Sequence, residues 1–361
     1  MILVASVDRY SASKACWTAS QGLVSTYYSP DPENVEAVAR YNPEIYHFIS
    51  RERFIELLSS GQLRYTNTPP EEADTILICG DALRTSPSSL RQLENLVKRL
   101  SAVRAPRVII FNLLGRPGTS SRLLKLFLQN LVSLDDSLAH GYLGITDWDA
   151  PHHPAYYNDD RAGEIISMIT RGRCLRYSTM EDAEAATIAM LATQAAEIAV
   201  HHQVYKIIET QPPSSIGPVV GWENESVLRL FAELETVHGK LLTHVKEYLE
   251  RRFTDSCRLV AKRVREILRS KKDVVNILLV SEDKRTGHWL NYFLPSKGWR
   301  LHTREPVHVY EMVEVRGRLD MGYDLVIVDG RLGRIAGLLG ERLGWDKIII
   351  LSGVTPTPKG V

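Results

Sequence analysis

The chain has 361 residues, of which 44% are hydrophobic and 24% charged, and its formal net charge is +1. This composition is that of an ordinary globular protein, long enough for about two domains. It excludes a collagen-like or low-complexity chain, and the balanced charge gives no reason to expect nucleic acid or an anionic membrane surface as a partner.

The cysteines are few and far apart. Cys16, Cys79, Cys174 and Cys257 form no CxxC pair, so neither a disulfide framework nor a cysteine zinc site is expected. The apolar stretch at Met1 is too short for a signal peptide, and no apolar run is long enough to span a bilayer. We therefore expect a cytoplasmic protein without a membrane anchor.

Strands and helices alternate from the N-terminus, which is typical of a parallel sheet with helices on both faces. The apolar patterns predict, in chain order, strand Ile2–Val7, helix Tyr10–Gln21, strand Leu23–Tyr28, helices Pro32–Arg40 and Arg51–Ser59, strands Leu63–Thr66 and Thr75–Cys79, helix Leu90–Leu100 and strand Arg107–Phe111. The segment Gly141–Asp160 is predicted to be irregular.

The stretch Ser178–Glu209 is predicted to be one long buried helix, because it contains no Gly or Pro and almost no polar face. Ser178 and Glu181 have the spacing of a capping box, and Pro212 and Pro213 end the helix. Its many alanines let a neighbouring backbone approach closely. We expect this helix to join two domains and to form the core of a dimer.

A second, smaller α/β unit is predicted after this helix. Glu225–Lys272 is expected to be helical, with a break near His238–Gly239. The elements that follow are strand Asn276–Val280, helix Gly287–Leu294, strand Arg300–Thr303, helix Val309–Arg316, strand Asp324–Val328, helix Leu332–Leu343 and strand Lys347–Leu351. The expected α/β fold has an N-terminal Rossmann-like domain at 1–177, a central helical region at 178–272 and a C-terminal Rossmannoid domain at 273–361.

Several short motifs, in this order, resemble the UDP-glucose/GDP-mannose dehydrogenase family over nearly the whole chain. The matching segments are Pro32–Val38, Phe54–Leu58 with Gly61–Thr66, Ala73–Ile78, the turn Pro117-Gly118-Thr119, Ala183-Glu184-Ala185, and Lys284 with Thr286. The resemblance implies an NAD-binding domain, a helical dimer core and a C-terminal domain that binds a nucleotide sugar. It also implies two successive NAD-dependent oxidations that convert the sugar to a uronic acid.

The positions with which this family binds NAD hold other residues here. Aligned on Gly22, the glycines of the dinucleotide fingerprint fall on Ser6, Asp8 and Ser11, and the ribose-binding carboxylate falls on Ser29. A carboxylate ~4 Å from a pyrophosphate costs about 4 kcal/mol at an effective dielectric near 20, on the order of several hundredfold in affinity. We therefore expect no cofactor, and NAD only if the family activity is retained.

The catalytic positions implied by the resemblance are also replaced. The loop Gly217–Asn224, where the family carries its nucleophilic cysteine, contains no thiol for a covalent intermediate. The family's lysine and asparagine on the central helix fall on Thr187 and Leu191, and its catalytic glutamate falls near Asp147 or Asp149. We therefore assign no catalytic residue.

A retained scaffold with replaced chemistry predicts a pseudoenzyme that binds a nucleotide sugar or accompanies an active paralogue, as a homodimer or a heteromer. Lys284 and Arg161 are the implied substrate-binding residues, and Thr119 is a further cofactor-binding position of the family pattern. Two alternatives stay open. One is an active NAD-dependent UDP- or GDP-sugar 6-dehydrogenase with a rearranged site, and the other is a structural or assembly protein that associates through the alanine-rich helix.

A polar loop contains residue types that bind metals. Asp147, Asp149, His152 and His153 carry carboxylate and imidazole ligands, but their spacing matches no metal motif. A solvated loop is the ordinary interpretation, and no metal is expected.

Two further patterns have an ordinary interpretation. The basic residues of Arg251–Lys272 alternate with acidic ones, as in a salt-bridged surface helix, and no stacking aromatics accompany them. Glu282, Asp283 and Asp329 resemble the acidic residues of a receiver domain, but no fifth strand and helix follow Lys347–Leu351. Asp329 is then expected to cap the next helix.

Overall fold

The structure is a computed structural model that describes residues 1–82, 87–104, 106–131, 138–144, 150–208, 227–228, 230, 237–270, 274–315, 322–330, 332–353 and 356. The chain forms two compact units, Met1–Leu191 and Ala192–Val361, and the boundary between them falls within one long helix. The three-part division predicted from the sequence is finer than this one and stays a prediction.

The first unit contains an eight-stranded sheet in the order β3-β2-β1-β4-β5-β6-β7-β8. Its strands are Ile2–Ser6 (β1), Ser25–Tyr28 (β2), Leu63–Thr66 (β3), Thr75–Asp81 (β4), Val108–Leu114 (β5), Ala139–Leu143 (β6), His153–Tyr157 (β7) and Cys174–Arg176 (β8). Neighbouring strands are parallel except β6 and β7, which are antiparallel. The order of β1 to β5 is that of a Rossmann sheet, in which the chain reverses direction across the sheet beside β1.

Helices cover both faces of this sheet. They are Ala12–Ser20 (α1), Pro32–Val38 (α2), Arg51–Ser59 (α3), Pro87–Leu100 (α4), Thr119–Asn130 (α5), Asp160–Thr170 (α6) and Met180–Ile208 (α7). α1, α3 and α6 pack on one face, where Trp17 and Phe54 are buried, and α4 and α5 pack on the other, around Leu93 and Phe127. The carboxyl ends of the parallel strands and the first turns of α1 and α5 therefore meet at one edge of the sheet.

Two local predictions in this unit are wrong. The segment Gly141–Asp160 is not irregular throughout, because β6 and β7 pair within it. A Cβ at Gly141 would lie 2.6 Å from the carbonyl oxygen of Tyr156, so the close pairing of these two strands requires glycine. At the start of α7, Thr179 rather than Ser178 accepts the capping hydrogen bond, from the backbone N–H of Asp182 at 3.1 Å.

The second unit contains a four-stranded parallel sheet in the order β10-β9-β11-β12. Its elements are Val237–Ser270 (α8), Val275–Val280 (β9), Lys284–Phe293 (α9), Trp299–Arg304 (β10), Pro306–Tyr310 (α10), Leu325–Asp329 (β11), Gly333–Leu343 (α11) and Ile348–Leu351 (β12). α8 begins at Val237, next to the helix break predicted near His238–Gly239, and residues 231–236 lie outside the described chain, so that break stays a prediction. The predicted α/β class with two Rossmann-like sheets is confirmed. Within the described part of the chain, every helix is too short or too polar to cross a lipid bilayer.

Candidate functional site

The loop between β1 and α1 is organised around the carboxylate of Asp8. The backbone N–H of Ser11 donates to Asp8 Oδ1 at 2.9 Å, and the hydroxyl of Ser11 lies 3.2 Å from both carboxylate oxygens. The hydroxyl of Ser6 donates to Asp8 Oδ2 at 3.0 Å. Ser6, Asp8 and Ser11 thus lie together in the turn before α1, where the Asp8 carboxylate accepts the N–H of Ser11, the N-cap residue of that helix.

Two side chains from outside this loop bind its backbone. The phenol of Tyr27, on β2, donates to the carbonyl oxygen of Asp8 at 2.7 Å. The side-chain amide of Asn34, on α2, donates to the carbonyl oxygen of Val7 at 3.0 Å. Tyr27 is fully buried, and burial, followed by the nearby Asp8 charge, raises the pKa of its phenol, so it stays protonated and donates. The loop is thus held in one conformation.

The end of β2 carries no free carboxylate. Ser29 is fully buried, and its hydroxyl accepts a long hydrogen bond from the backbone N–H of Asp31 at 3.4 Å. The carboxylate of Asp31 accepts from the backbone N–H of Glu33 at 3.0 Å and so caps α2. Asp31 is therefore engaged as a helix cap rather than directed at a ribose.

A buried carboxylate lies at the start of α5. Glu184, from α7, accepts hydrogen bonds from the backbone N–H of Gly118 at 2.5 Å and from that of Ser120 at 2.8 Å. Gly118 has a φ of 93°, a left-handed conformation that glycine tolerates. Thr119 donates its hydroxyl to the carbonyl oxygen of Arg116 at 2.6 Å. The polar groups of the Pro-Gly-Thr turn are thus hydrogen-bonded to other residues of the same chain.

Thr187 and Leu191, at the positions where the family pattern has a lysine and an asparagine, are both buried. Thr187 donates its hydroxyl to the carbonyl oxygen of Ala183, one turn earlier in α7, at 2.9 Å, and Leu191 is buried. A Cβ on Gly144 would lie 2.0 Å from Thr187 Oγ1, so the end of β6 lies directly against α7. The hydroxyl of Thr187 is therefore bonded within its own helix.

One thiol lies beside this region. Cys79 is on β4, opposite Ser6 of β1, and is fully buried. Burial raises its pKa to about 12, and the nearby Asp8 charge adds to this effect. A nucleophilic cysteine needs thiolate at neutral pH and access to substrate, and Cys79 has neither.

The two implied substrate-binding residues are in different units. Arg161, in the first turn of α6, donates from Nε and Nη2 to the two carboxylate oxygens of Asp159, each at 2.9 Å, and this pairing lowers the pKa of Asp159 to about 2. The guanidinium of Arg161 is therefore already hydrogen-bonded to a carboxylate of the same chain. Lys284 begins α9, and its side chain lies outside the described atoms.

The remaining residues singled out in the sequence are the acidic and histidine side chains of the polar loop and Asp329. Among the described residues, no three His, Cys, Asp or Glu side chains are close enough to hold a metal ion. His153 is buried in β7 rather than in a solvated loop, and Asp147 and Asp149 lie outside the described residues. Asp329 accepts from the hydroxyls of Ser281 at 3.0 Å and Thr286 at 3.4 Å, while α11 has no side-chain cap, so the predicted capping by Asp329 is wrong.

Solved structures with this arrangement over most of their length include three dehydrogenases. A UDP-glucose dehydrogenase from the archaeon Pyrobaculum islandicum has a TM-score of 0.60 at 15% identity, over 91% of this chain and 89% of that one. A UDP-D-ManNAc dehydrogenase from Pyrococcus horikoshii has a TM-score of 0.60 at 14% identity, over 91% and 88%. A UDP-N-acetyl-mannosamine dehydrogenase from Staphylococcus aureus has a TM-score of 0.53 at 12% identity, over 91% and 87%. No model of a known protein family matches the sequence, and no curated protein matches it.

The chain has the fold of a nucleotide-sugar dehydrogenase. The resemblance inferred from the sequence is confirmed at this level, because the structural likeness runs over both units of the chain while the identity is low. The nucleotide-sugar dehydrogenase fold places a dinucleotide site, when it has one, at the edge of the first sheet described above.

The residues at that edge do not fit NAD. In a Rossmann unit the pyrophosphate lies against the N-terminus of the first helix, where glycines admit it and free N–H groups bind it. Here the N–H of Ser11 donates to Asp8, and Ser6 and Ser11 bring hydroxyls to the positions of glycines. The strand that follows α1 ends in a buried serine and not in a ribose-binding carboxylate.

Some residues of this region escape sequence reasoning, and others lie outside the described chain. Tyr27 binds the loop before α1 from 19 residues away, and Glu184 binds the first turn of α5 from 64 residues away, and no local pattern marks such contacts. The Ala-Glu-Ala motif placed Glu184 at the start of the long helix but gave no sign of its partners. The loop Gly217–Asn224 lies outside the described residues, so its lack of a cysteine is known from the sequence alone.

Proposed function

We propose that this protein is a nucleotide-sugar dehydrogenase homologue that has lost dinucleotide-dependent oxidation and acts by binding a nucleotide sugar, as a homodimer or beside an active paralogue. The observation that supports this most strongly is the Asp8 carboxylate on the N–H of Ser11. An anionic side chain held at the start of α1 repels a pyrophosphate and occupies its donor.

The catalytic positions support the same proposal. Thr187 and Leu191 replace the groups that would stabilise an oxyanion, and the loop Gly217–Asn224 has no cysteine. The thiol of Cys79 is buried with a raised pKa. A protein without a bound oxidant and without a reactive thiol has no route to either oxidation of the sugar.

Binding of the sugar nucleotide is tested by calorimetric titration with UDP-glucose, UDP-N-acetylmannosamine and GDP-mannose. We expect one of them to bind, and Lys284→Ala to weaken that binding at least about tenfold, because an ammonium at the first turn of α9 would meet a phosphate. Lys297→Ala is the matched control. Absence of binding by every nucleotide sugar would remove this part of the proposal.

Loss of oxidation is tested separately, by incubating the protein with the bound nucleotide sugar and NAD and following NADH by absorbance. We expect no NADH above a protein-free control. Sustained NADH production would refute the proposal and favour the alternative of an active enzyme with a rearranged site. Mass measurement by light scattering, with Ala195→Trp as the disrupting variant, tests whether α7 supports self-association.

A further inference from the structure

One face of α8 carries three polar side chains at a spacing of four residues: Tyr248, Arg252 and Ser256. Residues four apart lie above one another on a helix, so these three form a stripe. The stripe faces the segment Ser352–Gly353, which follows directly on β12. The hydroxyls of Ser256 and Ser352 lie 3.1 Å apart, and the backbone N–H of Ser352 is 3.3 Å from the Ser256 hydroxyl.

Gly353 lets this segment lie directly on the helix. Its φ is 102°, and a Cβ there would lie 2.1 Å from the carbonyl oxygen of Leu249 and 3.2 Å from the Cβ of Arg252. Only a glycine permits both the left-handed backbone and this approach. The carboxyl end of β12 is therefore packed against the turn of α8 that holds Tyr248 and Arg252.

Arg252 and Tyr248 each bury a polar atom for which the described chain supplies no hydrogen-bond partner. These atoms are Arg252 Nε and the Tyr248 hydroxyl. The nearest acids along the helix are paired with other residues: Glu247 lies 3.9 Å from Arg251, Glu250 lies 3.5 Å from Lys246, and Asp255 lies 3.0 Å from Arg258. Burying a guanidinium nitrogen without a hydrogen-bond acceptor costs free energy. An anion that accepts a hydrogen bond from this nitrogen would remove that cost.

Both buried atoms can donate a hydrogen bond to an anion. A guanidinium has donors only, and burial raises the pKa of Tyr248, so its phenol keeps its proton. The two side chains as a whole are half-buried, although the two donor atoms themselves are buried. They lie at the carboxyl end of a parallel strand, the edge at which open α/β sheets bind ligands.

We propose that Tyr248 and Arg252 form an anion site that takes a phosphoryl group. A phosphoryl group presents several oxygens in different directions, so one oxygen accepts from the guanidinium while another accepts from the phenol. The site belongs entirely to the second unit and does not depend on the loss of NAD binding proposed above. Its ligand is inorganic phosphate or the diphosphate of a nucleotide, and the experiment separates the two.

The experiment titrates the full-length protein with inorganic phosphate, with UDP and with acetate, at constant ionic strength adjusted with chloride. We expect phosphate or UDP to bind, acetate to bind at least about tenfold more weakly, and Arg252→Gln to weaken the bound ligand at least about tenfold. Tightest binding by phosphate identifies a free anion as the ligand, and tightest binding by UDP identifies a nucleotide.

The adjacent Arg251 provides a matched control. It lies on the exposed side of α8, with its side chain 79% exposed, so Arg251→Gln changes the net charge equally but is expected to alter affinity less than about twofold. Arg252→Lys keeps the charge but loses the planar fork, and Tyr248→Phe removes only the hydroxyl. Each is expected to weaken binding several-fold while the thermal unfolding temperature is maintained.

The proposal would be overturned by no binding of phosphate or UDP, by equal losses in Arg251→Gln and Arg252→Gln, or by equal affinity for acetate. If UDP binds with an affinity that Arg252→Gln leaves unchanged, the nucleotide binds elsewhere. That result contradicts this site and leaves the proposed nucleotide-sugar binding intact.

Discussion

The carboxylate of Glu184, on α7, accepts hydrogen bonds from both the backbone N–H and the hydroxyl of Ser120, on α5, at 2.8 and 2.5 Å. Glu184 is only 1% exposed, so this contact is made without water. It satisfies donors of the first turn of α5 and places a negative charge at the positive end of that helix. The start of the long helix is thereby bonded to the Pro-Gly-Thr turn.

Replacing this carboxylate should destabilise the first unit. Glu184→Ala leaves the N–H groups of Gly118 and Ser120 buried without an acceptor, which costs about 1–3 kcal/mol in the free energy of unfolding. Urea unfolding near about pH 5 measures the effect. Asp182→Ala, on the exposed side of the same turn, is the control and should change stability by less than about 0.5 kcal/mol. Equal effects of the two variants would contradict the role given to Glu184.

The stabilisation by Glu184 should depend on pH. Burial raises its pKa above the ordinary value of 4.5, although hydrogen bonds from Ser120 and Gly118 act in the opposite direction. The folded state therefore holds the proton more tightly than the unfolded chain. The contribution is complete below the unfolded pKa and is lost as the pH rises through the raised folded pKa.

The free-energy difference between the wild type and Glu184→Ala should accordingly shrink as the pH is raised from about 4 to about 8. Urea unfolding of both proteins at several pH values measures this difference. A difference that grows with pH would show that the ionised form is the one favoured by folding.

The close contact between β6 and α7 gives a third prediction. Gly144→Ala would place a Cβ 2.0 Å from Thr187 Oγ1, so the two elements must move apart, at a cost of about 1–3 kcal/mol. Gly337→Ala in α11, where no atom lies within 4 Å, should be neutral or slightly stabilising. Thermal unfolding compares the two variants. A neutral Gly144→Ala would mean that this region has room for a ligand.

Most of the fold was predictable because the strands of both units are apolar runs and the helices between them are periodic. β4, β5, β9 and β11 are buried on both faces and read as continuous apolar segments. β6 and β7 were missed because Gly141 and Pro154 break the apolar run, and the need for glycine arises only from the backbone of the opposite strand. Local patterns do not contain that information.

The candidate site was predictable to the extent that it is local in sequence. Ser6, Asp8 and Ser11 fall within one turn, so their spacing was enough to place them together. The hydrogen bonds from Tyr27 and Glu184 connect residues far apart in sequence, and they follow from the sheet order rather than from any motif. The unpartnered donors of Tyr248 and Arg252 were hidden among exposed charges of the same helix.

The thiols should differ sharply in reactivity. Cys16, Cys79 and Cys257 are buried, and burial raises the pKa of each to about 12, whereas Cys174 on the edge strand β8 is half-buried. A disulfide reagent at about pH 8 should modify Cys174 first, and Cys174→Ser should abolish the fast phase. Loss of the fast phase in Cys79→Ser instead would indicate a reactive thiol beside Asp8.

The hydrogen bond from the Ser11 N–H to the Asp8 carboxylate should contribute measurable stability. Asp8→Ala removes the acceptor of the Ser11 N–H and should lower the free energy of unfolding by about 0.5–1.5 kcal/mol, whereas Asp8→Asn keeps an acceptor oxygen and should lose less. Urea unfolding of the two variants tests this order. Indistinguishable stabilities of Asp8→Ala and the wild type would mean that the carboxylate does not hold the turn.

The measurement that bears most directly on the central claim is a calorimetric titration of the wild-type protein with NAD. Because the carboxylate of Asp8 lies where the pyrophosphate would bind, we expect no binding of NAD at concentrations up to about 1 mM. This limit corresponds to a binding free energy less favourable than about −4 kcal/mol. The variant with Ser6→Gly, Asp8→Gly and Ser11→Gly should bind more tightly than the wild type. A dissociation constant in the micromolar range for the wild type would contradict the claim.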